Sequence, residues 1–343
     1  MPTRQNIPIA EWQEGDSVAG FALVTRKERR QDRNARDYID LELTDNTGTV
    51  FAKIWADSAA LDADFKAHDF VAYRGAVKSY RDQIQLSIDQ CRRATDSDRE
   101  HGFDEALLIP STPEDPEDLW RRLEALYQTI ERPHLDRLAR ETLAIHGKAL
   151  EEHPAAKTIH HAYRGGLLEH VVSTAELASM VAGHYPELDR DLLLIGVLFH
   201  DLGKLLEIGA MPANDYTTEG QLVGHVVMGR DLLRERCAAI PDFPKKEQVH
   251  LEHLVLSHQG RLEYGSPIEP RTAEALALHT IDNLDAKLAQ LRQAARNQSG
   301  FQYMRGLGRW MYLGSEKSAG DSDAPSTDES DTGVQQLELN ADS

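Results

Sequence analysis

Residues 192–204 read LLLIGVLFHDLGK, an apolar run that ends in the pair His200-Asp201 and continues to Lys204. The run is long enough to form a buried helix. At the end of such a helix, an imidazole and a carboxylate are costly to bury unless they have a partner such as a metal ion. This stretch therefore predicts a helical domain that holds a polar site at the end of one buried helix.

The helical pattern extends on both sides of this stretch. Leu119, Leu123, Leu126 and Ile130 recur at helical spacing, and signals for strands are nearly absent downstream of them. We therefore predict an all-α domain over residues 119–314.

Before residue 96 the pattern changes to short β-rich segments. Five strands are predicted, at Val18–Lys27, Tyr38–Thr44, Thr49–Trp55, Phe70–Tyr80 and Gln83–Asp89. The turn Asp45–Gly48 predicts a hairpin between the second and third strands, and residues 57–66 predict one short helix before the fourth. Five strands with a helix in that place follow the order of an OB-type barrel, here over residues 14–95.

Two segments have little periodicity. Residues 96–118 are rich in Pro, Asp and Glu, which is typical of a linker between domains. Residues 315–343 contain eight acidic residues against Lys317 alone. This tail has too little apolar surface to offset the entropy of ordering, so we predict that it is disordered.

Charge and cysteine content narrow the class of protein. The formal net charge of −19 argues against general electrostatic binding of nucleic acid, although part of this charge belongs to the tail. The two cysteines, Cys91 and Cys237, form no CxxC pair. With no signal region and no apolar run of spanning length, we expect a soluble cytoplasmic protein with no membrane partner.

Four further positions accompany the His200-Asp201 pair in the predicted helical domain. They are His170 in GGLLEH, His225 in EGQLVGH, His258 in LSHQG and Asp282 in LHTIDNLDAK. Imidazole and carboxylate ligands on separate helices can converge on a divalent metal and leave positions open for water and phosphate. The alternative is that these are surface or core residues among the fifteen histidines, but the complete series favours a metal site.

Two features of the HDLGK stretch point to phosphate chemistry. The carboxylate of Asp201 can bridge two metal ions, so that one His-Asp pair serves a two-metal site. Lys204 lies one helical turn beyond the pair, where its ammonium can meet a bound phosphate. Asp201 and Lys204 are therefore the predicted catalytic residues.

These motifs resemble those of a known group, the HD superfamily of phosphohydrolases. The stretches HHAYRGGLLEH, YTTEGQLVGH, LSHQGRLEYGSPIEP and ALHTIDNLDAKL are similar, more specifically, to bacterial 3′-to-5′ exoribonucleases that join an OB domain to an HD domain, the YhaM-like family. The resemblance implies one metal held by His170, His200, Asp201 and Asp282, and a second held by Asp201, His225 and His258. It also implies that Lys204 meets the scissile phosphate.

The resemblance further implies manganese as the first choice of ion, with magnesium, iron, cobalt and nickel left open by the residues. One position departs from the family pattern, since the family usually reads SHHG where this chain has Ser257-His258-Gln259-Gly260. Gln259 is a poor ligand for a transition metal. We therefore expect the second metal to be bound weakly or incompletely.

Residues that contact the substrate are predicted in both domains. In the barrel they are basic residues of the loop between the first two strands, Arg26, Lys27, Arg29 and Arg30, and of the turn between the last two, Lys78 and Arg81. Tyr38, Phe51, Trp55 and Tyr73 are candidates for stacking on bases. The alternative for the barrel is that its charged loop is only solvated and that its aromatic residues lie in the core. In the helical domain, His161 and Arg164 are candidate phosphate contacts.

The resulting expectation is a metal-dependent 3′-to-5′ exoribonuclease that hydrolyses single-stranded RNA to nucleoside monophosphates. The sequence leaves open whether single-stranded DNA is a second substrate. It also leaves open whether the protein forms a homo-oligomer. Two alternatives remain: a phosphohydrolase of a nucleotide or cyclic dinucleotide with a regulatory OB domain, and a non-catalytic single-strand-binding protein.

Overall fold

The computed structural model describes residues 3–58, 61, 63–80, 83–157 and 161–314, without the side chains of residues 296 and 297. Strands come first along the chain and helices follow. The strands are β1 (Arg4–Gln5), β2 (Ser17–Gln31), β3 (Asp37–Thr44), β4 (Thr49–Ile54), β5 (Phe70–Tyr80), β6 (Gln83–Arg93), β7 (Phe301–Met304) and β8 (Arg309–Tyr312). The helices are α1 (Pro116–Tyr127), α2 (Pro133–Glu152), α3 (Gly166–His184), α4 (Arg190–His200), α5 (Lys204–Glu207), α6 (Thr218–Val223), α7 (His225–Ala238), α8 (Lys245–Ser257) and α9 (Ala273–Asn297).

The long strand β2 belongs to both halves of the N-terminal barrel. Its first part, residues 17–23, pairs antiparallel with β5, and its second part, residues 23–31, pairs antiparallel with β3. A register shift between Val24 and Arg26 marks the change of partner. A local irregularity of this kind bends a strand, which allows β2 to bridge the two halves.

The barrel closes because β4 pairs parallel with β6, β6 pairs with β5, and β5 returns to β2. Alternate residues point inward, so Leu41 and Leu43 of β3, Ile54 of β4 and Leu86 of β6 are fully buried. This closed five-stranded order is that of the OB fold. The predicted fold class of the N-terminal part is therefore confirmed.

Two local predictions for the barrel are wrong. The described residues between 56 and 66 form turns and contain no helix. Strand β2 continues to Gln31, so Arg29 and Arg30 lie on a strand, and the connecting loop is confined to residues 32–36. Pairing with β3 extends the strand through this charged segment, because the backbone hydrogen bonds of the ladder do not depend on side-chain polarity.

The first half of the segment predicted as a linker packs on the barrel. It contains two short 3-10 helices, Asp96–His101 and Glu105–Leu107. Between them, the ring of Phe103 lies 5.4 Å from that of Phe21 and 5.7 Å from that of Phe70, measured between centroids. These contacts give the segment an apolar anchor. The predicted tail, residues 315–343, lies outside the described residues.

Helix α4 forms the centre of the helical part and contains most of the stretch LLLIGVLFHDLGK. Asp189 caps its first turn by accepting a hydrogen bond from the backbone nitrogen of Leu192, at 3.1 Å. Its side chains are buried on all sides, against α3, α7 and α8. Each fully buried Leu, Ile or Phe contributes about 1.5–3 kcal/mol. The predicted helical fold class with a central buried helix is confirmed, but the prediction of an all-α domain up to residue 314 is wrong at its end, where β7 and β8 form strands.

Residues 294–343 form a separate unit, of which the structure describes residues 294–314. Strands β7 and β8 pair antiparallel in it to form a hairpin. Among the residues that the structure describes, no helix has both the length and the apolar character that crossing a bilayer requires.

We expect Gly75→Ala to destabilise the barrel. Gly75 lies at a register shift between β5 and β6, where an added Cβ would lie 2.3 Å from the carbonyl oxygen of Ser87. Strain of this kind costs about 1–3 kcal/mol. In calorimetry, the barrel of the variant should therefore unfold at a lower temperature than that of the wild type. Gly48→Ala is the matched control, because its Cβ would make ordinary contact at 3.7 Å. Equal unfolding temperatures for the two variants would contradict this account.

Candidate metal centre

Five helices bring the polar residues of the sequence motifs to one place. His170 lies on α3 and His200 ends α4, with Asp201 as the residue that follows. His225 begins α7, His258 follows the end of α8, and Asp282 lies on α9. His170, His200, Asp201 and His258 are at most 2% exposed, so their polar atoms must find partners inside the protein.

The orientation of two imidazoles is set by backbone carbonyl groups. His200 Nδ1 lies 2.7 Å from the carbonyl oxygen of Val197, and His258 Nδ1 lies 2.6 Å from that of Val255. Because a carbonyl oxygen only accepts, both Nδ1 atoms carry the hydrogen. The lone pair of each neutral imidazole is therefore on Nε2, which faces the cluster.

Carboxylates orient the other two imidazoles. His170 Nδ1 donates to Asp285 at 2.8 Å, and His225 Nδ1 donates to Glu207 at 3.0 Å. Glu207 also accepts from the backbone nitrogen of His225, at 3.0 Å. An acceptor on the outer nitrogen is the usual arrangement of a histidine that binds a metal, because it fixes the ring and increases the basicity of Nε2.

The inward-facing atoms form a first cluster around His170. Its Nε2 lies 3.2 Å from His200 Nε2, 3.5 Å from Asp201 Oδ2 and 3.3 Å from Asp282 Oδ1. Two ligands held about 2.1 Å from one ion lie about 3.0–3.4 Å apart at octahedral or tetrahedral angles. The separations in this cluster are therefore close to those of ligands that share one cation.

A second cluster lies on the other side of the same carboxylate. Asp201 Oδ1 is 3.6 Å from His225 Nε2 and 3.8 Å from His258 Nε2. This oxygen is buried and has no hydrogen-bond partner among the described residues. A buried carboxylate oxygen in that state is costly, whereas a cation next to it would satisfy it. Asp201 thus directs one oxygen towards each cluster, as a bridging ligand would.

The charges around the cluster favour a positive charge within it. Burial disfavours a charged His170, but Asp282, Asp285 and Asp201 outweigh it and raise its pKa to about 10. Burial and the neighbouring His200 lower the pKa of His258 to about 3, so that this imidazole is neutral. The residues present therefore fit a divalent cation.

Lys204 pairs with the central carboxylate. Its Nζ donates to Asp201 Oδ2 at 2.6 Å. Burial opposes the charge of Lys204, yet Asp201 raises its pKa, so the side chain remains an ammonium. Lys204 thus lies next to the residue shared by the two clusters. Burial and Lys204 act in opposite directions on Asp201, whose pKa stays well below its ordinary range.

The turn between Asp201 and Lys204 allows the second cluster to form. An added Cβ at Gly203 would lie 2.1 Å from the carbonyl oxygen of His225 and 2.6 Å from the nitrogen of Gly229. Only a glycine permits this close approach of the turn to α7. Gly203 therefore keeps His225 within reach of Asp201.

Gln259 lies at the second cluster. Its side-chain nitrogen is 2.9 Å from His258 Nε2 and 3.4 Å from His225 Nε2. Because both imidazoles donate through Nδ1, their Nε2 atoms can accept from this amide. Gln259 thus interacts with the same lone pairs that a second cation would need.

Sequence reasoning missed the residues that support the ligands, chiefly Asp285 and Glu207. Asp285 accepts from His170 and also from Ser173, at 2.6 Å. Asp285 follows Asp282 by three residues on the same helix, and this spacing was a usable signal. No sequence pattern indicated Glu207, since it is brought to His225 by the folding of the 17-residue connection that contains α6.

The two predicted phosphate contacts of the helical part lie in different surroundings. His161 is buried, with Nε2 at 3.4 Å from Glu169 Oε1 and its ring 5.7 Å from that of His170. Glu169 also accepts from Thr112 and Tyr163. The Arg164 side chain is partly exposed and faces Glu152 at 3.9 Å. His161 therefore neighbours the ligands, whereas Arg164 lies in an ion pair at the surface.

Acidic neighbours surround the basic residues predicted in the barrel. Arg26 and Arg30 both face Asp40, at 3.4 and 3.6 Å, and Arg29 lies 2.9 Å from Asp37. Lys27 donates to backbone carbonyl groups at residues 63 and 65. Lys78 is exposed, and Arg81 lies outside the described residues. Much of the predicted positive charge is thus neutralised within the barrel.

Aromatic residues form a small exposed cluster on the outer face of β4. Trp55 and Phe51 are exposed, and Tyr38 of β3 stacks against Trp55 with ring centroids 5.4 Å apart. Lys53 Nζ lies 5.1 and 5.3 Å from the Tyr38 and Trp55 rings. Tyr73, by contrast, is buried beside Trp12, so its prediction as a stacking residue is wrong.

We expect manganese to stabilise the protein through Asp201. At an Mn²⁺ concentration about a hundredfold above Kd, binding to the native state alone adds about 2.7 kcal/mol. Asp201→Asn should abolish this gain because the amide cannot supply a charged bridging oxygen. Thermal unfolding with and without Mn²⁺ measures the effect, and Asp231→Asn, an exposed change on α7, is the control. Equal gains in both variants would rule out this site.

We expect Gln259→His to increase the metal content. An imidazole would replace an amide that competes for the lone pairs of His225 and His258, and would add a ligand that transition metals prefer. Dialysis against Mn²⁺ and elemental analysis should give about one more ion per chain than the wild type. Gln128→His, an exposed change after α1, controls for adventitious binding. Unchanged metal content in Gln259→His would contradict the competition.

Comparison with known proteins agrees with this geometry. Residues 167–287 match the HD domain family. The matched range includes all the residues of the two clusters, His170, His200, Asp201, His225, His258 and Asp282.

Solved OB domains are also similar to part of the chain. One is the second OB-fold domain of replication protein A from Methanococcus maripaludis, with 22% identity over 26% of this chain and 92% of that one and a TM-score of 0.22. Another is an OB domain from Methanosarcina mazei, with 16% identity over 28% and 88% of the two chains and a TM-score of 0.24. These likenesses carry no argument about function, and the strand order identifies the barrel. The chain thus carries an HD domain at residues 167–287, within the helical part that follows an OB-type barrel.

Proposed function

We propose that this protein is a metal-dependent phosphodiesterase that degrades single-stranded RNA from its 3′ end and releases nucleoside monophosphates. The observation that carries the proposal is the carboxylate of Asp201, buried between four oriented imidazoles with one oxygen unsatisfied. The match of residues 167–287 to the HD domain family supports a metal-dependent hydrolase.

The residues would hold cations in two places. His170, His200, Asp201 and Asp282 would hold the first, and Asp201, His225 and His258 would hold a second, weaker one next to Gln259. A divalent cation in this setting supplies Lewis-acid stabilisation of phosphate oxygens and lowers the pKa of a water molecule that attacks phosphorus. Manganese is the proposed ion, because mixed imidazole and carboxylate ligands suit a transition metal.

The chain's own groups have separate roles in hydrolysis. Asp285 and Glu207 hold His170 and His225 in a fixed orientation, which pre-organises the ligands. Lys204, whose side chain is 13% exposed, keeps an ammonium at the edge of the cluster. There it can stabilise the charge that accumulates on phosphate oxygens in the transition state. Water is the nucleophile, so no covalent intermediate with the protein is required.

The barrel supplies contacts to the strand. Trp55, Arg36 and Lys78 line a groove of about 620 Å³ on its surface, together with four aspartates, Asp32, Asp37, Asp57 and Asp89. The aromatic cluster around Trp55 offers faces for bases, and the two basic residues can meet phosphates. The acidic neighbours weaken the electrostatic attraction between the barrel and phosphates. The barrel would therefore bind a strand more through stacking on its bases than through its phosphates. Tethering raises the local concentration of the strand at the metal centre.

The test is a time course with 5′-labelled single-stranded RNA and Mn²⁺. We expect a ladder that shortens from the 3′ end in the wild type. Asp201→Asn should lower the rate by about a thousandfold or more, because it removes the group shared by both clusters. Asp231→Asn should degrade RNA at the wild-type rate. A 5′-labelled DNA strand in parallel measures the preference between the two nucleic acids.

Other outcomes would replace the proposal. Hydrolysis of free nucleotides or cyclic dinucleotides with intact RNA would identify a small-molecule phosphohydrolase with a regulatory barrel. Tight binding of the strand without turnover in any divalent metal would identify a single-strand-binding protein. Immediate release of the 5′ label as a mononucleotide would reverse the direction of degradation.

A further inference from the structure

The C-terminal hairpin presents one aromatic face. Phe301 pairs with Tyr312 and Tyr303 pairs with Trp310 across the two strands, so all four side chains lie on the same side. Their ring centroids are 5.2 Å apart in the first pair and 5.7 Å apart in the second. The four residues form what we call the aromatic platform.

The platform is exposed to solvent. Phe301, Tyr303, Trp310 and Tyr312 are 68%, 52%, 65% and 58% exposed. On the opposite face, Gln302 and Met311 are only partly exposed. Single apolar residues at a surface need no explanation, but a contiguous aromatic face on a two-stranded hairpin indicates a binding surface. Packing of the rings within each pair does not account for this exposure.

The charges of the hairpin favour an anionic ligand. Residues 299–314 contain Arg305 and Arg309 and neither aspartate nor glutamate, in a chain whose net charge is −19. Both arginines are exposed and lie at the turn end of the hairpin, where Arg305 is in the turn and Arg309 pairs with Met304 on the face opposite the platform. The segment is therefore a locally basic, aromatic surface on an acidic protein.

We propose that the aromatic platform binds unpaired bases of a single-stranded nucleic acid, with Arg305 at its phosphates. This inference rests on the proposed function and gives the strand a contact separate from the barrel. The two aromatic pairs are two residues apart along each strand, or about 6.8 Å, so each pair offers a surface for one base. Aromatic faces accept any base, so this contact holds the strand without selecting its sequence.

Binding is measured with the full-length Asp201→Asn protein, which prevents degradation, and a fluorescein-labelled oligouridylate. Trp310→Ala and Tyr303→Ala should each lower the affinity about tenfold in fluorescence anisotropy, because each removes one stacking surface. Trp310→Phe keeps a ring and should retain most of the affinity. Gln302→Ala and Met311→Ala, on the opposite face, are matched controls that should bind like the parent. Unfolding temperatures confirm that each variant is folded.

The inference is overturned if Trp310→Ala and Tyr303→Ala bind the strand like the parent. If the same variants change the sedimentation mass, the platform joins two copies of the chain instead. Hydrolysis of bis(p-nitrophenyl) phosphate by proteins with an intact Asp201 separates the two proposals, since this substrate has no bases to stack. No hydrolysis by the wild type would count against the proposed function, while a loss of anisotropy in Trp310→Ala would still support the platform.

Discussion

The buried carboxylate of Asp201 is the constraint on which the helical domain depends. It lies at the end of α4 with both oxygens inside the protein, and among the described residues Lys204 alone donates to it within 3 Å. Four imidazoles surround it, each with its outer nitrogen bonded to a carbonyl or carboxylate. A buried charge of this kind persists only if the fold supplies compensating charges. A divalent cation on each side would complete the compensation.

This constraint explains several features of the surrounding structure. Helices α3, α4, α7, α8 and α9 must converge at one point, so the domain has its polar site inside a core that is otherwise apolar. The turn after Asp201 must approach α7 closely, which Gly203 permits. Asp285 and Glu207 add negative charge around the cluster and hold two of its imidazoles in place.

The barrel and the hairpin both expose aromatic side chains to solvent. In both, rings that a core would normally bury are exposed: Phe51 on β4 with Trp55 just after it, and the platform on β7 and β8. The surrounding charges differ. Acidic residues neutralise the arginines of β2, whereas the hairpin has two arginines and no acid. An acidic protein can therefore hold a polyanion through stacking and a few local cations, without a basic surface overall.

The sequence alone determined the order of the two folds and the residues that form the centre of the site. Alternation in β3 and the helical period around LLLIGVLFHDLGK depend only on which side chains avoid water, and both periods are visible in a single sequence. The His and Asp residues were recognisable because burying them without a partner is costly. Their identity therefore followed from local patterns.

Only the tertiary structure decided which groups orient the imidazoles of the cluster. It also decided which basic side chains are left without an acidic neighbour and could contact phosphate. Glu207 reaches His225 across a connection that contains α6, and Asp40 neutralises Arg26 and Arg30 across a strand pair. Gln259 contacts the imidazole of its neighbour His258 and that of His225, which begins another helix. The exposure of the hairpin's four rings was likewise decided by strand register. Contacts between segments far apart in the chain depend on packing geometry, and local periodicity carries no information about it.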